Sequence, residues 1–322
     1  MKKFILLFSA IAVMASCTKS NELIPGTDTP EEIRLTSNIG LTAESRAVIT
    51  NATASLEFSF VRLDQSAADG TYPAYTTIST ALDVTRSAGG ATASTPTTIA
   101  FDGGAQYYLT HTTHFKTKLV GWYPRATPAS GVVTIPVDGD TDIMLSQEIE
   151  GDRTAPANKF GTSGKVFTFA HQLTQVQVKA YAADDAAITA WGEITSIKLK
   201  DQAGKVCNIA LPDGVVFTPP GSATDLAIAG GLLPLALTEE LSADDAHDFG
   251  YAMIAPLAGT DPLTLIIETE KGGIKEITPT STGYAVSTAY VITLKFSSTE
   301  IVPTAVIGEW TPGATIPEIE IN

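Results

Sequence analysis

Phe167-Thr168-Phe169-Ala170-His171-Gln172-Leu173-Thr174-Gln175-Val176-Gln177-Val178-Lys179-Ala180-Tyr181 is the stretch that decides the fold class. Phe167, Phe169, His171 and Leu173 fall on one side of an extended chain, while Val176, Val178 and Ala180 fall on the other. A period of two belongs to a half-buried strand, and its change of phase predicts a bulge or register change near Gln175. The same alternating or β-rich character recurs at residues 56–63, 107–110, 115–123, 131–137 and 142–146, and again at 194–199, 206–211, 226–237, 251–255, 263–268, 273–277 and 290–296. Residues 182–191 are the only helix candidate. The expected class is therefore all-β.

The chain is 322 residues long with 44% hydrophobic content, more than one ordinary sandwich needs. Residues 151–164, rich in Gly, Pro and polar side chains, read as a linker between two sandwiches at 47–160 and 161–322. Thirty-five acidic residues stand against 20 basic ones, a formal charge of −15 with no basic cluster after the first three positions, which argues against nucleic acid as a partner.

The amino terminus reads as an address. Met1-Lys2-Lys3 is basic, residues 4–14 are apolar but about half the length of a membrane span, and Met14-Ala15-Ser16-Cys17 supplies small residues before a cysteine. This resembles a lipoprotein signal peptide over residues 1–16, although Met14 stands where Leu is usual, and it makes Cys17 the lipidated first residue of an outer-membrane lipoprotein precursor. Residues 18–31 are a polar tether punctuated by Pro25, Gly26 and Pro30. Beyond it Ile33, Leu35, Ile39, Leu41 and Ala43 alternate as a strand, with only Ser37 breaking the apolar row, and the run ends at Glu44-Ser45-Arg46 before Ala47.

No constellation of an enzyme is legible. Gly164-Lys165 and Gly204-Lys205 lack the earlier glycine of a phosphate loop. His111 and His114 would diverge if extended, since residues three apart face opposite ways. Asp138, Asp140 and Asp142 alternate like the start of a calcium loop, but Ile143 and Ile149 stand where that loop needs Gly and Glu, so a turn is expected and no metal or cofactor is assigned. Cys207 reads as a small core residue and His171 as a hydrogen-bonded structural one. Asp184 and Asp185 are expected as loop charges or helix caps.

The order of Val120-Gly121-Trp122-Tyr123-Pro124, Asp140-Thr141-Asp142-Ile143-Met144, Phe167-Thr168-Phe169-Ala170-His171-Gln172-Leu173 and Trp310-Thr311-Pro312-Gly313 resembles the fimbrillin family, the type V pilins of Gram-negative anaerobes. The resemblance implies two tandem transthyretin-like β-sandwiches, a structural role in a cell-surface fimbria that contributes to adhesion, and no enzymatic activity. It also implies cleavage by an arginine-specific protease between Arg46 and Ala47, removing residues 17–46. The partners would be further copies of the chain or related subunits. The strand at residues 33–43 would be replaced by a neighbour's tail, residues 312–322, where Ile316, Ile319 and Ile321 are the apolar donors. The alternative from another class is a monomeric surface lipoprotein or tip adhesin that binds glycan or host protein, with Trp122, Tyr123 and Trp191 available for sugar stacking.

Overall fold

The structure is a computed structural model that describes residues 29–39, 55–89, 96–110, 113–231, 233–238, 245–259, 261–281 and 283–308. In chain order its elements are β1 (Leu35–Ile39), β2 (Leu56–Asp64), β3 (Leu82–Arg86), β4 (Thr97–Phe101), β5 (Thr117–Tyr123), β6 (Val132–Pro136), β7 (Met144–Ser146), β8 (Ile149–Gly151) and β9 (Phe167–His171). There follow β10 (Thr174–Ala182), α1 (Asp185–Trp191), β11 (Glu193–Ala203), β12 (Val206–Ala210), β13 (Gly214–Thr218), β14 (Thr224–Ala227) and β15 (Leu235–Ala236). The chain continues with β16 (His247–Ile254), β17 (Leu265–Thr269), β18 (Gly273–Ile277), β19 (Ala289–Phe296) and β20 (Ile301–Gly308). The class is all-β, as the alternation predicts. The helix is capped by Asp184, whose side chain accepts from the Ala187 amide at 2.8 Å.

The deciding stretch is two strands rather than one strand with a bulge. β9 ends at His171, Gln172 and Leu173 intervene, and β10 starts at Thr174 in a different sheet. Phe167 and Phe169 thereby serve one core, and Val176 and Val178 another. The phase change is the signature of a chain passing between sheets. The irregularity within β10 lies further on, between Val178 and Lys179.

The first sheet runs β2-β3-β4-β1-β9-β7-β5-β8, and β2 also pairs with β5. That extra pairing closes a ring of seven strands, with β8 added beside β5. Closure removes open edges, the costly part of any sheet. Leu35, Phe58, Phe60, Val84, Ile99, Phe167 and Phe169 form its buried core. Phe60 meets Phe167 edge to face with ring centroids 5.0 Å apart, a favoured aromatic geometry.

The later strands form a four-stranded sheet, β16-β10-β19-β20, and a five-stranded one in which β14-β11-β17-β18 are consecutive and β15 also pairs with β11. Val176, Phe249 and Ile292 from the four-stranded sheet share a core with Leu226, Ile197 and Ile267 from the five-stranded one. A fourth sheet, β13-β12-β6, pairs Val132–Pro136 with Val206–Ala210. Its core combines Trp122 and Ile135 with Cys207, Ile209 and Met253, so residues from both halves of the sequence are buried together. No helix among the described residues is long and apolar enough to cross a membrane.

Candidate functional site

The strand expected over residues 33–43 appears as β1, and its surroundings are the most distinctive feature of the fold. Glu32 bridges Tyr107, and the Ile33 amide donates to the Gln106 carbonyl at 2.7 Å, which brings the chain into the sheet. Leu35, Thr36 and Ser37 then pair antiparallel with Ile99, Thr98 and Thr97 of β4. On the other side Ser37, Asn38 and Ile39 pair in parallel with Phe167, Thr168 and Phe169 of β9. A strand from the start of the described chain is thus an interior member of a closed ring, flanked by strands far away in sequence.

Its two rows differ in chemistry. Ile33, Leu35, Ser37 and Ile39 are all buried in the core. Aliphatic side chains are worth about 1.5–3 kcal/mol each when fully buried. On the opposite row, Thr36 Oγ1 and Asn38 Oδ1 are buried without a hydrogen-bond partner among the described residues. An open groove of about 850 Å³ follows the beginning of β1, between Ile99 and Phe101 on one flank and Phe160 and Gly161 on the other. Tyr108 fixes that second flank: its Oη accepts from the Phe160 amide at 2.8 Å, the two rings stack, and burial pushes the phenol up to about 12.

The alternating aspartates do not converge. Asp138 accepts from the Asp140 and Thr141 amides and from the Thr141 hydroxyl, closing a turn. Asp140 accepts from Tyr251 Oη at 2.7 Å, while Asp142 is buried against His171 Nδ1 at 2.5 Å. Each carboxylate has its own structural task. No group of three or more metal-ligating side chains occurs among the described residues. His171 is the hydrogen-bonded structural residue expected from its strand face. His111 lies outside the described residues.

Cys207 lies in β12 with no solvent exposure, and burial pushes its thiol up to about 12, so it behaves as a small apolar side chain. Trp122 and Trp191 are buried, their indole N–H groups donating to the carbonyls of Ala126 and Ser297, which removes both from a sugar-stacking role. Cys17, Arg46, Ala47, Ile316, Ile319 and Ile321 lie outside the described residues. Strand pattern alone did not disclose Arg86, a wholly buried cation at the end of β3 whose Nε donates to Ser37 Oγ at 3.2 Å. Ser37, the one break in the apolar row, was the available signal.

These features define a class: an all-β protein in which an early strand completes a closed sheet. The chain matches the fimbrillin-like family over residues 45–310 and belongs to it, which places it among cell-surface fimbrial proteins. Among solved structures it is similar to a candidate cell adhesion protein from Bacteroides uniformis, at 18% identity and a TM-score of 0.59, covering 89% of this chain and 100% of that one. It is also similar to a candidate cell adhesion protein from Bacteroides ovatus, at 15% identity and a TM-score of 0.54, covering 88% and 99% of the two chains. At these identities the likeness shows a shared fold. Among curated proteins, no relative matches the chain.

Proposed function

We propose that this chain is a structural subunit of a surface fimbria, most consistent with a stalk position, that polymerises by proteolysis-triggered strand exchange. The observation that carries the reading is the interior place of β1 between β4 and β9. An edge strand that leaves exposes one row of backbone groups, whereas a strand taken from inside a ring exposes two and opens the core between them. In this account the precursor is exported as a lipoprotein held to the outer membrane through Cys17. An arginine-specific protease cuts between Arg46 and Ala47, and β1 loses the covalent link that kept its effective concentration high.

The vacated groove then takes the tail of a neighbouring copy or related subunit through Ile316, Ile319 and Ile321. Because tail and groove lie at different places on one subunit, the contact is head to tail and propagates. We also propose two transthyretin-like sandwiches. Their support is a repeated arrangement: β1 pairs in parallel with β9, and β10 pairs in parallel with β19. β9 would belong with the first sandwich, and the β6–β12 pairing would join the two.

The test compares three chains exposed to an arginine-specific protease and viewed by electron microscopy. The native chain should form fibres. Arg46→Ala should stay an intact monomer, and the chain lacking residues 312–322 should be trimmed yet remain monomeric. Fibres from either variant would contradict the proposal.

A further inference from the structure

Arg86 ends β3 on the same inward row as Val84, opposite Leu56 of β2 and Ile99 of β4. The side chain has no solvent exposure, an unusual state for a residue that stays charged. Burial disfavours its protonated form, lowering the pKa from its ordinary value. Its donors are met in part by the Ser87 carbonyl at 3.3 Å and Thr97 Oγ1 at 3.4 Å. A further acceptor comes from β1, where Ser37 Oγ lies 3.2 Å from Nε. Ser37 sits opposite Thr97 in β4 and Phe167 in β9, so this contact is at the centre of the site that β1 occupies.

The inward row of β1 reads Ile33, Leu35, Ser37, Ile39. Aliphatic side chains at period two fill a groove well but register poorly, because a slip of two residues puts another aliphatic in each position. The serine breaks that degeneracy. A slip of two in either direction would set Leu35 or Ile39 against the guanidinium and take away one of its acceptors. Leaving buried charge less well hydrogen-bonded is costly, and one polar contact in an apolar seam is a known way to fix register.

We propose that Arg86 is a specificity-determining residue of the groove, admitting a strand in the register that brings a hydroxyl or carboxylate oxygen to the position of Ser37. This rests on the strand-exchange reading above and states what the incoming strand must carry. The occupant is the tail of a second copy, in which Thr315 shares one alternate row with Ile319 and Ile321 and Glu318 shares the other with Ile316.

The experiment uses the chain with native Arg86 but without residues 312–322, trimmed at Arg46 and separated from its leader fragment, with the protease inactivated, so that no neighbour's tail can fill the groove. Fluorescent synthetic peptides of residues 31–43 are titrated into it in three forms: native, Ser37→Asp and Ser37→Val. The native and aspartate peptides should bind, and the valine peptide should bind about tenfold or more weakly, the loss expected for a hydrogen bond to a charged group. In an Arg86→Met chain the difference should vanish or reverse. The series on the chain with native Arg86 decides the matter even if that variant does not fold. Equal binding of native and valine peptides would overturn the role of Arg86 while leaving strand exchange intact. Binding of none of the three, the native peptide included, would overturn strand exchange and this inference with it.

Discussion

β1 and β20 are both outlying strands of the described chain, and their sheets treat them in opposite ways. β1 is short, lies inside a closed ring and buries Leu35 and Ile39 completely. β20 is longer and, among the described residues, forms an edge of its sheet and pairs only with β19, and its Val302, Val306 and Ile307 are 44%, 53% and 61% exposed. It even contains Pro303, which lacks a backbone donor and is tolerated on an edge. Length therefore does not measure how much a strand matters. Loss of β20 would bare one edge of an otherwise intact sheet, whereas loss of β1 would open a ring and its core.

Leu35→Ala should give the largest effect, weakening the docking of β1 by about 2–5 kcal/mol, the usual range for a buried leucine truncated to alanine. Denaturant unfolding followed with amide exchange on β4 and β9 would read it. A loss below about 1 kcal/mol would mean that β1 is not a tightly packed member of the ring.

Acid should act next, and unevenly. Asp138, Glu150 and Asp152 all lie between β6 and β9, and all are held below their ordinary values. Burial alone would raise each of them; it is outweighed by hydrogen bonds from Thr141 and the Asp140 amide to Asp138, from Lys116 and Tyr72 to Glu150, and from Thr154 and Asn158 to Asp152. Carboxylates lowered in the folded state contribute stability above their unfolded values, 3.8 for aspartate and 4.5 for glutamate, and that stability is lost as pH falls further through the folded values. Amide protection should therefore fade first in residues 117–171 as pH drops below about 4.5, with residues 265–296 following. Simultaneous loss, or the reverse order, would break the contrast between the regions.

The smallest effect belongs to the other terminal strand. Val306→Ala removes an exposed methyl pair from an edge and should change stability by no more than about 0.5 kcal/mol. A cost comparable to Leu35→Ala would mean that β20 is covered in solution.

How far these features were legible depends on the range of the physics behind each. Alternation is local, and it gave β2, β6, β12 and β18 nearly to the residue, together with β1 inside the wider run over 33–43. It failed where the inward row is not apolar: β3 carries Arg86 at the position where an aliphatic would have announced a strand, and β4 begins with threonines next to a turn-rich stretch. The expected strand over 107–110 is reduced to a single bridge at Tyr107. The run over 226–237 is two short strands, β14 and β15, separated along the chain. Partnership is not local at all. Nothing near Ser37 in the sequence indicates that it faces Phe167 and meets Arg86, although its interruption of an apolar row marked the place where a polar contact had to be.

The most direct test is hydrogen exchange by mass spectrometry on the precursor and on a chain trimmed at Arg46 that also lacks residues 312–322, so that no donor can refill the groove. The account predicts that protection is lost together at residues 97–99 and 167–169, the two rows that pair with β1, while residues 289–296 keep theirs. Unchanged protection on β4 and β9 after trimming would contradict it.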